Sequence, residues 1–138
     1  MVDKHLLKTP SDLNGMENIL KNNKFILIKA SATWCNPCKK IEEPFKRIVK
    51  NKLDNKVKVM YVDVDDDDDI VNLFKITKLP TFISIVKGKV ANTDITSNVK
   101  DVKLIIDKLN SHAVFGYVYF DYPFGYVYFD YTFVYEML

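Results

Sequence analysis

At 138 residues and a net charge of +2, the chain amounts to one domain, long enough to bury roughly two-thirds of its unfolded surface. Residues 1–110 hold all 20 basic groups and 15 of the 18 acidic ones, residues 111–138 hold three acids and no Lys or Arg, and neither balance points to a nucleic-acid partner. Two cysteines are too few for a disulfide-stapled secreted framework, no stretch is long enough to span a membrane, and the N-terminus has no apolar core of signal-peptide length, so a reducing, cytoplasm-like compartment is expected.

In chain order, residues 5–8 read as a short edge strand. Ser11-Asp12 supplies an N-cap for a helix carrying Leu13, Met16, Ile19 and Leu20 at helical spacing, which Gly15 weakens. Phe25 to Ile28 shows no alternation, as in a central strand covered on both faces. A helix follows from Asn36 to about Asn51, with Ile41, Phe45, Ile48 and Val49 on one face and Pro44 inside it as an expected kink. Val57 to Val62 is the next strand. The run Asp65 to Asp69 leads into a short helix through Val71, Leu73 and Phe74; it lacks the spacing of a calcium loop and reads as a solvated helix start. Thr81 to Val86 and Val90 to Ile95 form an antiparallel pair turning at Lys87-Gly88-Lys89. A last helix runs from about Val99 to Leu109, and Asn110 closes the domain. His5 and His112 read as surface or segment-end residues.

Both cysteines lie in Thr33-Trp34-Cys35-Asn36-Pro37-Cys38-Lys39, between a strand and a helix. At the helix N-terminus, unpaired N–H groups and the dipole favour a thiolate, which makes Cys35 the nucleophile. Cys38, one turn on, is placed to attack a mixed disulfide on Cys35. Pro37 fits the first turn, where a missing N–H costs little. A zinc site would need about four ligands, and only His5 and His112, far apart in sequence, remain as good candidates, so no metal is expected.

The Trp-Cys-x-Pro-Cys-Lys string after a strand, with Lys78-Leu79-Pro80-Thr81 downstream, resembles the thioredoxins. Over residues 1–110 the element order β-α-β-α-β-α-β-β-α is similar to theirs. The resemblance implies an α/β fold, a central mixed sheet flanked by helices, and a protein-disulfide oxidoreductase working through Cys35 and Cys38 with no further cofactor. It implies a cis bond before Pro80 and a substrate-binding surface of Trp34, Pro37, Leu79 and Pro80. The partners implied are protein disulfides and, as electron donor, a thioredoxin reductase or glutathione. A reductase is expected, since isomerases commonly have His where Pro37 stands.

Four positions depart from the family pattern. Asn36 stands where Gly is common and tunes the redox potential. Lys29 stands at the position of a buried Asp that assists proton transfer; it either tunes the thiol pKa values or snorkels its amine to the surface. Pro44 comes one position late, and Thr96 replaces a loop glycine, its Cβ narrowing the substrate groove.

The resemblance stops before residues 111–138. Residues 115–123 recur at 124–132 with one change, Pro123 to Thr132, and the tail carries 12 of the 18 aromatics. Gly116 to Asp121 and Gly125 to Asp130 are expected to pair as a hairpin across Tyr122-Pro123-Phe124, with self-association through residues 115–135. Lys outnumbers Arg by 19 to 1, as in AT-rich genomes. Large AT-rich DNA viruses carry thioredoxin-like proteins, so the alternative is an adaptor that assembles through its tail, located in a virion.

Overall fold

The computed structural model describes the backbone of residues 3–122 and 125–130 and the side chains of residues 3–116. Its five-stranded sheet is built from Leu6–Leu7 (β1), Phe25–Ser31 (β2), Val57–Asp63 (β3), Thr81–Val86 (β4) and Lys89–Ile95 (β5), in the order β1-β3-β2-β4-β5. Strands β1, β3 and β2 run parallel, while β4 is antiparallel to both β2 and β5. The helices are Leu13–Asn22 (α1), Asn36–Lys52 (α2), Asp68–Leu73 (α3) and Val99–Phe115 (α4). This is the mixed sheet flanked by helices that the resemblance implied.

Strand β2 lacks alternation because both its faces are covered. Phe25 and Leu27 join Ile41, Phe45, Ile48 and Val49 of α2 and Val102, Ile105, Ile106 and Leu109 of α4. Ile26, Ile28 and Ala30 face the other way, packing with Met16 of α1 and Ile70 of α3. Because β2 also pairs with both β3 and β4, its C-terminal end, where the cysteine motif begins, is held from four sides.

Local chemistry explains the connections. Asp12 caps α1 by accepting from the Gly15 N–H. Gly15 does more than weaken that helix, since a Cβ there would come within 2.8 Å of the Pro10 Cβ. The acidic run ties itself down: Asp67 Oδ2 accepts from the Asp63 N–H and Asp63 Oδ1 from the Asp65 N–H, setting the turn that starts α3. Lys87 and Gly88, at φ 51° and 80°, supply the two left-handed residues of a tight hairpin turn between β4 and β5. Pro44 lies inside α2 without ending it.

Three sequence expectations need correction. Helix α4 does not stop at Asn110. It runs to Phe115 and ends at Gly116, which adopts the left-handed conformation (φ 71°) of a C-terminal cap. Asn110 instead clasps the end of α2: its Nδ2 donates to the Lys52 carbonyl and its Oδ1 accepts from the Asp54 N–H. Ser111, His112 and Ala113 are buried, so the packed unit reaches past residue 110.

Neither histidine is a surface residue, although His5 does stand at a segment end, directly before β1. His5 is buried with Nδ1 2.9 Å from the Val57 carbonyl oxygen. His112 is buried on α4, and burial lowers its pKa from 6.5 to about 4. The unfolded chain therefore binds this proton at higher pH than the folded one. The contribution is fully present above about pH 6.5 and is lost as pH falls toward about 4, with a slope of at most about 1.4 kcal/mol per pH unit. Urea titrations at pH 7 and pH 5 should show a loss of stability on acidification that shrinks in His112→Leu.

Beyond Gly116, Tyr117–Tyr122 (β6) pairs antiparallel with Gly125–Asp130 (β7) as a separate two-stranded sheet. The first strand starts one residue later than expected because Gly116 serves as the helix cap. Of the expected turn, Pro123 and Phe124 lie outside the described residues. Among the described residues, no helix is long and apolar enough to cross a membrane.

Candidate active site

Where β2 ends, the chain turns through Ala32-Thr33-Trp34 and enters α2 with Cys35 as its N-cap. The Cys35 N–H donates to the Ala32 carbonyl at 3.1 Å, and Cys35 Sγ accepts from the Cys38 N–H at 3.2 Å. The cysteines form a disulfide, with Cα atoms 5.3 Å apart. When the bond opens, the N–H group that now faces Sγ is positioned to stabilise a thiolate there, in addition to the helix dipole. Pro37 occupies the first turn, where its missing N–H leaves no gap in the helix ladder.

Both cysteines are buried, packing with Ala32, Val64 and Leu79, while Trp34, Asn36 and Pro37 are exposed. Trp34 is 65% exposed, and its Nε1 donates to Asp65 Oδ2 at 2.9 Å. The Leu79–Pro80 bond is cis. Leu79 is half-buried against the cysteines, and Pro80 is buried, its carbonyl accepting from the Thr96 N–H at 3.3 Å. Thr81 Oγ1 receives no backbone donor here; it donates to the Lys78 carbonyl and closes the loop in front of the proline.

Thr96 stands beside the proline loop, and its hydroxyl is held by two hydrogen bonds. Oγ1 donates to Asp101 Oδ2 at 2.6 Å and accepts from the Asn98 N–H at 3.0 Å, so the hydroxyl is engaged at the start of α4.

Lys29 is fully buried in β2, in register with Tyr61 of β3 and Phe82 of β4. Its amine does not reach open solvent. Lys29 Nζ lies 3.1 Å from Glu42 Oε2 on α2 and 5.8 Å from the ring centres of both Phe45 and Tyr61. The other Glu42 oxygen is 3.5 Å from Lys46 Nζ. Burial, with smaller contributions from the Glu42 and Asp3 carboxylates, raises the Tyr61 pKa to about 12, so the phenol stays neutral beside the ion pair.

Of the residues singled out from the sequence, Leu79 packs against Cys35 and Cys38, Trp34, Asn36 and Pro37 flank the pair along the chain, and Pro80 is buried next to Leu79; two contacts, those of Glu42 and Asp65, have no counterpart in the sequence reading. Glu42 was separable in principle, since it lies four residues after Cys38 on the same helix. Asp65 was hidden in a run of like residues, any of which reads as a helix start. Among the described residues, no group of three or more His, Cys, Asp or Glu side chains is placed to hold a metal ion.

The thioredoxin family model matches residues 8–111. The chain is 32% identical over 103 residues to thioredoxin of Ictalurus punctatus, covering 73% of this chain and 94% of that protein. It is 31% identical over 93 residues to thioredoxin H2 of Arabidopsis thaliana, covering 67% and 68%. Among solved structures, oxidised mitochondrial thioredoxin 3 of Saccharomyces cerevisiae superposes with a TM-score of 0.67 at 26% identity, covering 78% of this chain and all of that one. A matching family model, relatives across most of the fold and a cysteine pair capping α2 behind a cis-proline loop lead to one conclusion: the chain belongs to the thioredoxin family and is a thiol-disulfide oxidoreductase.

Proposed function

We propose that the chain works as a reductase of protein disulfides, with Cys35 attacking the substrate, Cys38 resolving the mixed disulfide and a thioredoxin reductase or glutathione returning the electrons. The observation that carries the direction is the Lys29–Glu42 pair at 3.1 Å. At the position where the family resemblance puts a buried acid, a lone buried cation would favour thiolates, hence the reduced form, and push the couple toward an oxidant. With Glu42 beside it, Lys29 is neutralised and that push is removed. Asn36 is the second position we assign to tuning the potential. We assign substrate binding to Trp34, Pro37, Leu79 and Pro80; Pro80 is itself buried, and the exposure of Trp34 and Pro37 suits an extended polypeptide. A reducing, cytoplasm-like compartment fits this direction.

Stoichiometric exchange tests the direction. Protein reduced with dithiothreitol and freed of it should cleave the disulfides of a model protein in the absence of other reductant. The oxidised form should leave a reduced protein dithiol unoxidised on the same timescale; rapid oxidation of that dithiol overturns the reading.

A second reading, an adaptor that assembles through its tail and is packaged in a particle, is favoured by the β6–β7 hairpin. A two-stranded sheet is marginal alone in water and leaves edges for pairing with another copy. Removing residues 117–138, a cut placed after the α4 cap so that Ala113 keeps its packing, should leave disulfide turnover within about twofold and shift sedimentation toward monomer. Unchanged sedimentation discards self-association through the tail.

A further inference from the structure

Cys38 is 2% exposed, and the apolar side chains packed with the cysteine pair, Ala32, Val64 and Leu79, offer no proton acceptor. Resolution of a mixed disulfide nevertheless requires the Cys38 thiol to lose a proton as its sulfur attacks. On α2 the residue one turn further along is Glu42. Side chains on a helix lean toward its N-terminus, so a residue at this spacing covers the turn that holds Cys38. Among the described residues, Glu42 is also the one carboxylate the buried Lys29 amine grips, and at 34% side-chain exposure it keeps a route to water.

We propose that Glu42 accepts and returns the proton of the resolving thiol, Cys38, and that Lys29 is the positioning residue that keeps the carboxylate over this turn. The inference rests on the dithiol exchange itself and not on its direction. In the reducing direction, the Cys35 thiolate attacks the substrate disulfide, forms a mixed disulfide and expels one substrate thiolate, which takes a proton from water. The Cys38 thiol then passes its proton to the Glu42 carboxylate while its sulfur bonds to Cys35 Sγ. The bond between Cys35 and the substrate breaks, and the second substrate sulfur leaves with the electron pair. The proton on Glu42 passes to that leaving thiolate or to water. Two electrons have moved from the cysteine pair to the substrate sulfurs, and the carboxylate is restored.

The charged and titratable groups around Glu42 are Lys46 on its own helix, Lys29 from β2, and Tyr61 from β3 with Asp3 near it. The residues of α4 packed in the core shared with α2, among them Val102, Ile105, Ile106 and Leu109, are apolar. Tyr61 stays protonated well above neutral pH, which leaves Glu42 as the acceptor within this cluster.

Single-turnover kinetics separate the two steps. A protein disulfide carrying a chromogenic leaving group is mixed with the reduced full chain, and mixed-disulfide formation and resolution are followed separately from pH 5 to 9. In Glu42→Gln, which keeps the size and an oxygen for Lys29, resolution should slow by tenfold or more relative to mixed-disulfide formation near neutral pH, with the deficit closing at alkaline pH. In Lys29→Met, resolution should slow in the same way, and Glu42→Asp should recover part of the rate. Resolution within twofold of wild type across the range, equal slowing of both steps, or faster resolution at low pH in Glu42→Gln overturns the proposal; the last would mean that an unneutralised Lys29 helps the thiolate directly. Should the variants fail to fold, carboxyl-carbon NMR on the unmutated chain decides. The Glu42 titration should differ between the disulfide and dithiol forms, and identical curves overturn the proposal.

Discussion

Cys35→Ser lowers turnover on a protein disulfide by at least roughly a thousandfold, because the attacking sulfur is gone and nothing else at the site replaces it. The fold should survive, since serine is among the better helix N-caps and its hydroxyl can accept from the same Cys38 N–H as the Cys35 sulfur. Cys38→Ser behaves differently. Cys35 still attacks, so the first substrate thiol is released, but the mixed disulfide accumulates and is visible by mass spectrometry as a covalent adduct on Cys35. The contrast tests the division of labour that the geometry implies. Cys35 sits at the helix entrance with its sulfur facing an N–H, whereas Cys38 lies a turn deeper. Equal trapping by both variants would remove that distinction.

Phe45→Ala destabilises the domain by about 3–5 kcal/mol, the usual cost of deleting a fully buried aromatic ring. Phe45 is completely buried, its ring lies 5.4 Å from Phe82 and 6.1 Å edge-on to Tyr61, and Lys29 Nζ stands 5.8 Å from its centre. It therefore fastens α2 to the central strands at the level of the buried ion pair. Removing it leaves a cavity and takes away part of the apolar wall around Lys29. Urea unfolding should show a lower midpoint at unchanged slope. Leu104→Ala, on the half-exposed face of α4, should stay within about 0.5 kcal/mol. Similar costs at the two positions would mean that Phe45 does not anchor this helix.

Much of the fold was legible because local signals agreed with tertiary ones. The unbroken apolar run of β2 announced a strand buried on both faces, and Lys87-Gly88 announced the turn between β4 and β5. The apolar faces predicted for α2 and α4 point inward, as do Met16, Ile19 and Leu20 of α1, while Leu13 is half-exposed. What was misread follows a common cause, that polar residues were assigned to solvent. Asn110 looked like a helix stop but uses both ends of its amide to bind the end of α2. His112 looked like a terminus but lies in the interior of a helix that has another turn to run. Lys29 was singled out from sequence, yet its state depended on Glu42, thirteen residues away and brought beneath it only by the crossing of α2 over β2. Asp65 likewise gains its meaning from Trp34, thirty-one positions earlier, and no sequence spacing marks that pair.

The most direct measurement is the reduction potential of the Cys35–Cys38 couple, obtained by equilibrating the purified chain in redox buffers and following thiol content by mass spectrometry. A reductase whose buried Lys29 is neutralised by Glu42 should have a value at or below about −260 mV, beneath the glutathione poise determined by extraction. A value near −180 to −120 mV, in the range of disulfide donors, would contradict the assignment of this chain as a reductase.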